Sequence, residues 1–245
     1  MKLASISTRP PSGLDKKKIK KETDKMALAI AEKLQLIYAE GKKAVLIVFQ
    51  GMDASGKDGA TRKVFKYCSP SAIRAFGFKK PTDEEFAHDF LWRVHKLAPA
   101  KGQMVIFNRS HYEDILVQRV HKWIDENKVN MRIQTINAWE KSLIEDNNTT
   151  IIKFYMHISP ERQLEKLQER IDVPEKNWKH NDGDWEQRKY WDAYRECFED
   201  TIQKCNVSPW VVAPVDSRWY RDYFIAKHVL SVLDQLEVNL PIIKK

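Results

Sequence analysis

Residues 45–61, VLIVFQGMDASGKDGAT, limit the possible folds more than any other stretch of the chain. Five apolar residues, 45–49, run into a glycine-bounded turn, and the chain leaves it in residues able to start a helix. That order of strand, loop and helix is the order of a phosphate-binding loop. Gly51 and Gly56 lack a Cβ, so the backbone can curl tightly and turn its N–H groups toward phosphate oxygens at the positive helix end. Lys57 is placed to reach the terminal phosphates. Gly51, Ala54, Ser55, Gly56, Lys57, Asp58 and Gly59 are the phosphate-binding residues this reading expects. The pattern departs from G-x-x-x-x-G-K-[ST] at its last position, where Asp58 replaces the hydroxyl that normally holds Mg²⁺. A carboxylate there can face a metal through water, but it repels phosphate.

The rest of the chain repeats the alternation of strand and helix. A helix is predicted over 15–40 with Gly41 as its stop, then the strand at 45–49, a helix at 57–67 and a short strand at 72–76. One helix is predicted from Asp83 to about Lys96, then a strand over 103–107, a helix over 130–146 and a strand over 151–158. Ser159 and Pro160 suit the N-cap and first position of a helix ending near Arg170. A polar segment, 171–185, follows without apolar period; the helix after it is predicted over 184–205, the last strand over 209–214 and a closing helix over 217–237. Such a sequence argues for a three-layer α/β/α fold on a central parallel sheet with right-handed crossovers. Residues 1–14 read as an irregular arm and 15–245 as one phosphate-loop domain, with a helical lid at about 160–192. At 245 residues and 42% hydrophobic, the chain can bury the core this needs.

No apolar run approaches the roughly 18 residues of a membrane span, and the first residues lack the apolar centre of a signal peptide. A cytoplasmic protein is the expectation. Cys68, Cys197 and Cys205 show no C-x-x-C spacing, so neither a disulfide framework nor a zinc site is predicted. The formal charge of +8 suggests a polyanionic partner. Residues 61–101 carry nine basic against four acidic positions directly after the loop; among them Arg62, Lys63, Lys66, Lys79 and Lys80 could extend a positive surface away from it. Solvated helix faces are the alternative. The lid has nine acidic and seven basic positions, so any phosphate contact there must come from individually placed side chains such as Arg170, Lys176, Lys179 and Arg188.

The strand at 103–107 runs into NRSHYED, residues 108–114, and polar groups at a strand's carboxyl end are where open α/β sheets bind ligands. Asp53 can point at metal or acceptor, or hold the turn through an Asx bond. Arg109 can bridge donor and acceptor phosphates with its planar fork, or serve a structural ion pair. Glu113 and Asp114 are adjacent carboxylates, and residue type alone leaves open which meets a ligand and which caps a helix. The spacings of His88, His95, His111 and His121 fit no metal pattern, and all four read as ordinary polar or core residues. Trp191 reads as core, while Trp178 is open between core and base stacking. From the residues alone, ATP is as good a phosphate donor as any inorganic chain.

The loop GMDASGKDG (51–59), the run 81–102 with FNRSHYEDILVQRVH (107–121), the segment ERIDVPEKNWKHNDGDWEQRKYWDAY (169–194) and PWVVAPVDSRWYRDYFIAKHVL (209–230) together resemble polyphosphate kinase family 2, in the thymidylate-kinase-like group. That resemblance implies reversible, Mg²⁺- or Mn²⁺-dependent transfer of phosphate between inorganic polyphosphate and a purine nucleotide. It implies Asp53, Lys57, Arg109 and Asp114 as catalytic residues, with Asp53 and Asp114 at the metal; Arg62 and Lys66 are expected phosphate contacts from their charge and place on the helix after the loop. Arg109, Glu113, Arg119, Arg170, Lys176, Lys179 and Arg188 would meet the nucleotide or close the lid. Asn108 and Glu113 are similar to the class III form, implying AMP and ADP as acceptors, with GMP and GDP beside them; the class I form has Asp and Asn there. The family likeness further implies a homodimer or homotetramer, and no nucleic-acid partner is expected. An ATP-dependent nucleoside monophosphate kinase is the alternative.

Overall fold

The computed structural model describes residues 2–240, so the end of the expected domain, 241–245, lies outside the described residues. Five strands, β1 (Ala44–Gln50), β2 (Ile73–Gly77), β3 (Met104–Asn108), β4 (Thr149–His157) and β5 (Trp210–Pro214), form one parallel sheet in the order β2-β3-β1-β4-β5. Among the described residues ten α-helices surround it: α1 (Lys16–Glu40), α2 (Lys57–Val64), α3 (Asp83–Ala87), α4 (Trp92–His95), α5 (Glu113–Val120), α6 (Glu126–Glu145), α7 (Pro160–Asp172), α8 (Asp182–Arg188), α9 (Trp191–Lys204) and α10 (Arg218–Asp234). All seven residues of β1 are buried. A strand covered on both faces must be apolar throughout rather than alternately, which is why residues 45–49 read as one run. Each of its larger side chains contributes roughly 1.5–3 kcal/mol by leaving water.

The strand order fixes where the site can be. The chain moves two places sideways from β1 to β2, then reverses through β3 and passes β1 to reach β4 and β5. Because crossovers between parallel strands are right-handed, reversing direction changes the face on which the connecting helix packs. Accordingly α2 packs with α1 and α10, whereas α5 packs with α6 and α9. The connections leaving β1 and β3 therefore part to opposite faces, and a crevice opens between their carboxyl ends. Phe49 pairs with Asn108 there, bringing the phosphate loop level with the start of NRSHYED.

Several expected elements differ. The single helix over 83–96 is two, because the Asp89 carboxylate accepts the Leu91 N–H at 3.0 Å and ends one turn while Arg93 swings inward to its own partners. The helix over 184–205 is likewise split between α8 and α9, and the polar segment before it holds a 3₁₀ turn, Pro174–Lys179. Helix α5 was not foreseen. The arm is not loose: Leu3 is fully buried, its N–H donates to Glu199 at 2.7 Å, and Thr8 donates to Asp216 at 2.7 Å. The core also contains charge. Lys153 on β4 donates to Glu140 on α6 at 2.6 Å and to the Tyr112 hydroxyl at 3.0 Å, and the Tyr112 hydroxyl donates to Glu140 at 2.6 Å. Lys153 and Glu140 are fully buried. Burial pushes the Glu140 carboxyl up and the Lys153 ammonium down, while each partner opposes the other's neutralisation. The network anchors Tyr112 and with it the start of α5.

Candidate active site

The loop after β1 takes the form its glycines allow. Gly51 has φ 145° and Gly56 φ 88°, both in the region that favours glycine. A Cβ on Gly51 would stand 2.8 Å from the Met156 carbonyl on β4, and one on Gly56 would overlap the Arg221 guanidinium. Gly56 caps α2, whose first-turn N–H groups have no partner within the helix. Lys57 is buried, and its ammonium donates to the carbonyls of Gly51 at 2.8 Å and Met52 at 3.2 Å and to Ser55 Oγ at 3.4 Å. Burial, then the Arg109 charge, lowers its pKa; Asp53, Glu113 and Asp58 work the other way. Asp58, standing where a hydroxyl is usual, accepts a hydrogen bond from the Asn108 amide.

Two non-glycine residues here hold a left-handed backbone, Ala54 at φ 60° and Arg109 at φ 59°. Such conformations cost on the order of 1 kcal/mol and persist where the surroundings impose them. For Arg109 the imposing contact is its own N–H, which donates to the Phe49 carbonyl at 2.9 Å and ties the end of β3 to β1. Its guanidinium pairs with Asp53. Burial would lower the Arg109 pKa, but Asp53 and Glu113 outweigh it and raise it further, so this cation is permanent. Gln50, fully buried at the end of β1, donates to Glu113 at 3.1 Å.

The Asp53–Arg109 pair divides two spaces. On one side a cleft of about 700 Å³ holds the loop residues Gly56, Lys57, Asp58 and Gly59 with Arg62, Lys79, Asn108, Lys166, Arg170, Lys176, Lys179, Arg218 and Arg221. On the other side is a narrow pocket of about 20 Å³, lined by Met52, Glu113, Leu116, Gln163, Gln187, Arg188, Trp191, Tyr194 and Phe198. Asp53 and Arg109 line both.

The structure brings most of the expected residues together, but not all. Asp114 is turned away: its carboxylate is buried against Arg93 at 3.3 Å and Gln118 at 2.9 Å, and it lines neither space. Burial raises its pKa, opposed by Arg93 and Arg132. Adjacent residues of a helix point about 100° apart, so once Glu113 faces the pocket Asp114 cannot. Lys66 lies beyond the end of α2 and, with Lys63, is bound to Asp24 of α1 at 2.8 Å. Arg119 is taken by Glu126 and Asp200, both at 2.7 Å, bracing α5 against α6 and α9. Arg170 is held by Asp184 and by the Lys179 carbonyl at 3.1 Å, and Lys176 pairs with Glu169 at 2.8 Å. Arg188 donates to the Pro160 carbonyl at 2.9 Å and Gln163 at 2.8 Å. Trp191 is half-buried against the core and also lines the narrow pocket; Trp178, 79% exposed, stands at the cleft rim. His111 is a buried core residue between Tyr112 and Trp139, kept neutral by a pKa lowered to about 3 through burial and the charges of Lys153 and Arg93.

Sequence reasoning missed Lys166, Arg218 and Arg221. Lys166 on α7 is buried and donates to the Ala54 carbonyl at 3.3 Å. Burial, then Arg221, Arg162 and Arg218, lowers its pKa to about 7. Arg221 lies against Gly56 and Gly59 and is aimed by Asp222, whose carboxylate accepts from Nε at 2.8 Å and Nη2 at 2.6 Å. A signal was available: SRWYR after the last strand puts two arginines at i, i+3 in the first turn of a helix at the carboxyl edge of the sheet.

Residues 13–241 match the family described as Polyphosphate kinase 2 (PPK2). An AMP/ADP-polyphosphate phosphotransferase of Meiothermus ruber is 46% identical over 213 residues, covering 86% of this chain and 79% of the relative. An ADP-polyphosphate phosphotransferase of Rhodopseudomonas palustris is 36% identical over 221 residues, covering 84% and 76%. Among solved structures, Polyphosphate Kinase 2 from Arthrobacter aurescens TC1 superimposes with a TM-score of 0.95 at 34% identity, covering the whole of this chain and 89% of that one.

Proposed function

The chain belongs to the polyphosphate kinase 2 family, and from that premise we propose that it moves the terminal phosphate of inorganic polyphosphate reversibly onto a purine nucleotide, AMP or ADP first and GMP or GDP as well. The observation that carries this reading is the pair of spaces meeting at Asp53 and Arg109, one predominantly cationic and one that sets aromatic side chains beside polar ones. A donor made only of phosphates offers no base to recognise and is gripped by charge. The wide cleft supplies it from four directions: Lys57 and Arg62 on α2, Lys166 and Arg170 on α7, Lys176 and Lys179 on the 3₁₀ turn, and Arg218 and Arg221 on α10. The narrow pocket has the aromatic and apolar walls that suit a nucleoside. Its present volume of about 20 Å³ holds little more than a water molecule, so nucleotide entry requires α8 and the start of α9, which carry Gln187, Arg188 and Trp191, to draw back.

Phosphoryl transfer asks for positioning and for positive charge where the moving group passes. Arg109 stands at that passage. It exchanges Asp53 for the incoming phosphate and then bridges donor and acceptor, while Lys57 leaves its loop carbonyls for the donor's terminal oxygens. Arg221 and Lys166 hold the next phosphates. Glu113, fixed by Gln50, puts negative charge beside the acceptor and so disfavours longer acceptor chains, which favours AMP.

The described residues contain no group of three or more His, Cys, Asp or Glu able to cage a metal. Mg²⁺ generally takes only one or two carboxylates and completes its shell with phosphates and water, so the site fits such an ion. Asp53 and Asp58 would hold it; Mn²⁺ would fit the same oxygens. Bound there, the ion would offset phosphate charge. No described helix is long and apolar enough to cross a membrane. Cytoplasmic location, a homodimeric or homotetrameric state and indifference to nucleic acid complete the proposal; light scattering and a salt titration with RNA test the last two.

The deciding experiment supplies purified chain with polyphosphate and AMP, ADP, GMP or GDP, free of any nucleoside triphosphate, and separates products by chromatography. AMP should give ADP and then ATP. Product that forms only when ATP is added would make the chain an ATP-dependent monophosphate kinase.

A further inference from the structure

The catalytic cleft does not end at α10. Glu169, Lys176 and Arg218 line it on one side and on the other line a second surface groove of about 850 Å³. That groove runs from Arg218 past Arg162 on α7 to Arg9 of the arm and to Lys16 and Lys20 on the first turns of α1. It is assembled rather than accidental. Asp216 joins its walls, accepting from Thr8 at 2.7 Å and from the Ser159 N–H at 2.9 Å, while its carbonyl accepts from Arg162 at 3.1 Å. The arm, α7 and the entry to α10 are thereby held in one arrangement.

The charges in the groove are not equivalent. Glu165 is paired with Arg162, Glu169 with Lys176 and Arg218, and Asp216 is held by the bonds just described. Of the acids, this leaves exposed Glu161 without an ion pair among the described residues. Lys16 and Lys20 are exposed and have no ion pair among the described residues; Arg9, 75% exposed, stands 3.8 Å from Asp216. The unmatched charge is therefore positive, and it lies at the far end of a groove that shares Glu169, Lys176 and Arg218 with the cleft of the phosphate loop. Each exposed contact of this kind is weak, but a polymer that meets several in series accumulates them through counterion release.

We propose that this groove is an outer subsite for the donor, in which Arg9, Lys16 and Lys20 hold the distal part of a long inorganic polyphosphate whose end is in the catalytic cleft. The inference rests on the polyphosphate reading of the site. It makes the groove a determinant of chain-length preference: a long donor spans cleft and groove, and a short one ends before reaching Arg9.

The test is the triple variant R9A/K16A/K20A, whose three positions are on the surface and outside the catalytic cleft. Initial rates with AMP are compared for size-fractionated long-chain polyphosphate and for a short-chain fraction that ends within the cleft. The Michaelis constant for the long donor should rise about tenfold with kcat unchanged, and that for the short donor should not move. The salt dependence of long-donor use should also become shallower, and R9K/K16R/K20R should behave as the parent chain. An unchanged long-donor constant in R9A/K16A/K20A overturns the groove and leaves the phosphotransfer reading intact. Equal losses with both donors also overturn it, since the effect is then not confined to the distal segment. If the parent chain uses neither donor, the phosphotransfer reading itself fails and the groove with it.

Discussion

Alanine at Gly51 and alanine at Gly56 should damage this protein in different ways, although both glycines belong to one loop. At Gly51 the added Cβ meets the Met156 carbonyl at 2.8 Å and its Cβ at 3.0 Å, and φ is 145°. Both neighbours belong to β4, a buried strand paired on each side, so nothing near can yield. Strained backbone costs about 1–3 kcal/mol and overpacking a similar amount, giving roughly 2–6 kcal/mol in sum. At Gly56 the left-handed backbone is again strained, by about 1 kcal/mol, but the neighbour is the far end of the Arg221 side chain, which can move aside. Moving it breaks the aim that Asp222 gives and withdraws a cation from the face of the phosphate loop. A preorganised donor of that kind is worth about a hundredfold in kcat. Denaturant midpoints and initial rates with polyphosphate and AMP separate the two effects. Gly51→Ala should lose mainly stability; Gly56→Ala should stay folded and lose mainly rate. Adding Arg221→Ala to Gly56→Ala should cost little further rate, because the two changes act on one group. A stable Gly51→Ala, or a Gly56→Ala with unchanged rate, would refute the loop geometry.

Lys153→Met should destabilise by about 3 kcal/mol by leaving Glu140 buried without its partner, and Lys153→Met with Glu140→Met should recover part of that loss in chemical denaturation. Lys166 should give donor binding a pH dependence. Its pKa of about 7 means that the ammonium is largely lost above that pH, so the Michaelis constant for polyphosphate should rise between pH 6 and 8. Lys166→Arg, which stays charged, should flatten that profile; an equal rise in both proteins would assign it to the polymer's own titration. Asp114→Asn should lower stability by about 1–3 kcal/mol through its pairing with Arg93, with kcat changing less than tenfold once the protein is folded. A folded Asp114→Asn with activity lowered by orders of magnitude would place that carboxylate back in the reaction.

What could be read in the sequence was what is local. The phosphate loop announces itself because apolar run, glycines and lysine are contiguous, and α1 because Asp15 and Gly41 cap a regular stripe. Asn108, Arg109 and Glu113 were found because a strand end is a position in sequence as well as in space. Asp114 was misplaced because the choice between adjacent carboxylates depends on how α5 is rotated, and that is set by Tyr112, Glu140 and Lys153 from three elements. Lys66 was misplaced because its partner, Asp24, is 42 residues away. Lys166 and Arg221 enter the cleft only when α7 and α10 fold over the loop, and nothing near them in sequence names the glycines they approach. The same applies to the arm, whose composition suggests a free tail and whose Leu3 nevertheless finds a buried seat.

The claim on which the rest depends is that the glycine loop and Lys57 grip the end of an inorganic phosphate chain. A crystal structure of the protein with polyphosphate tests it most directly. The terminal phosphates should lie within hydrogen-bonding distance of the first-turn N–H groups of α2 and of Lys57 Nζ, with Arg109 released from Asp53. Density for the polymer elsewhere on the surface, with Lys57 still on the Gly51 and Met52 carbonyls, would contradict the account.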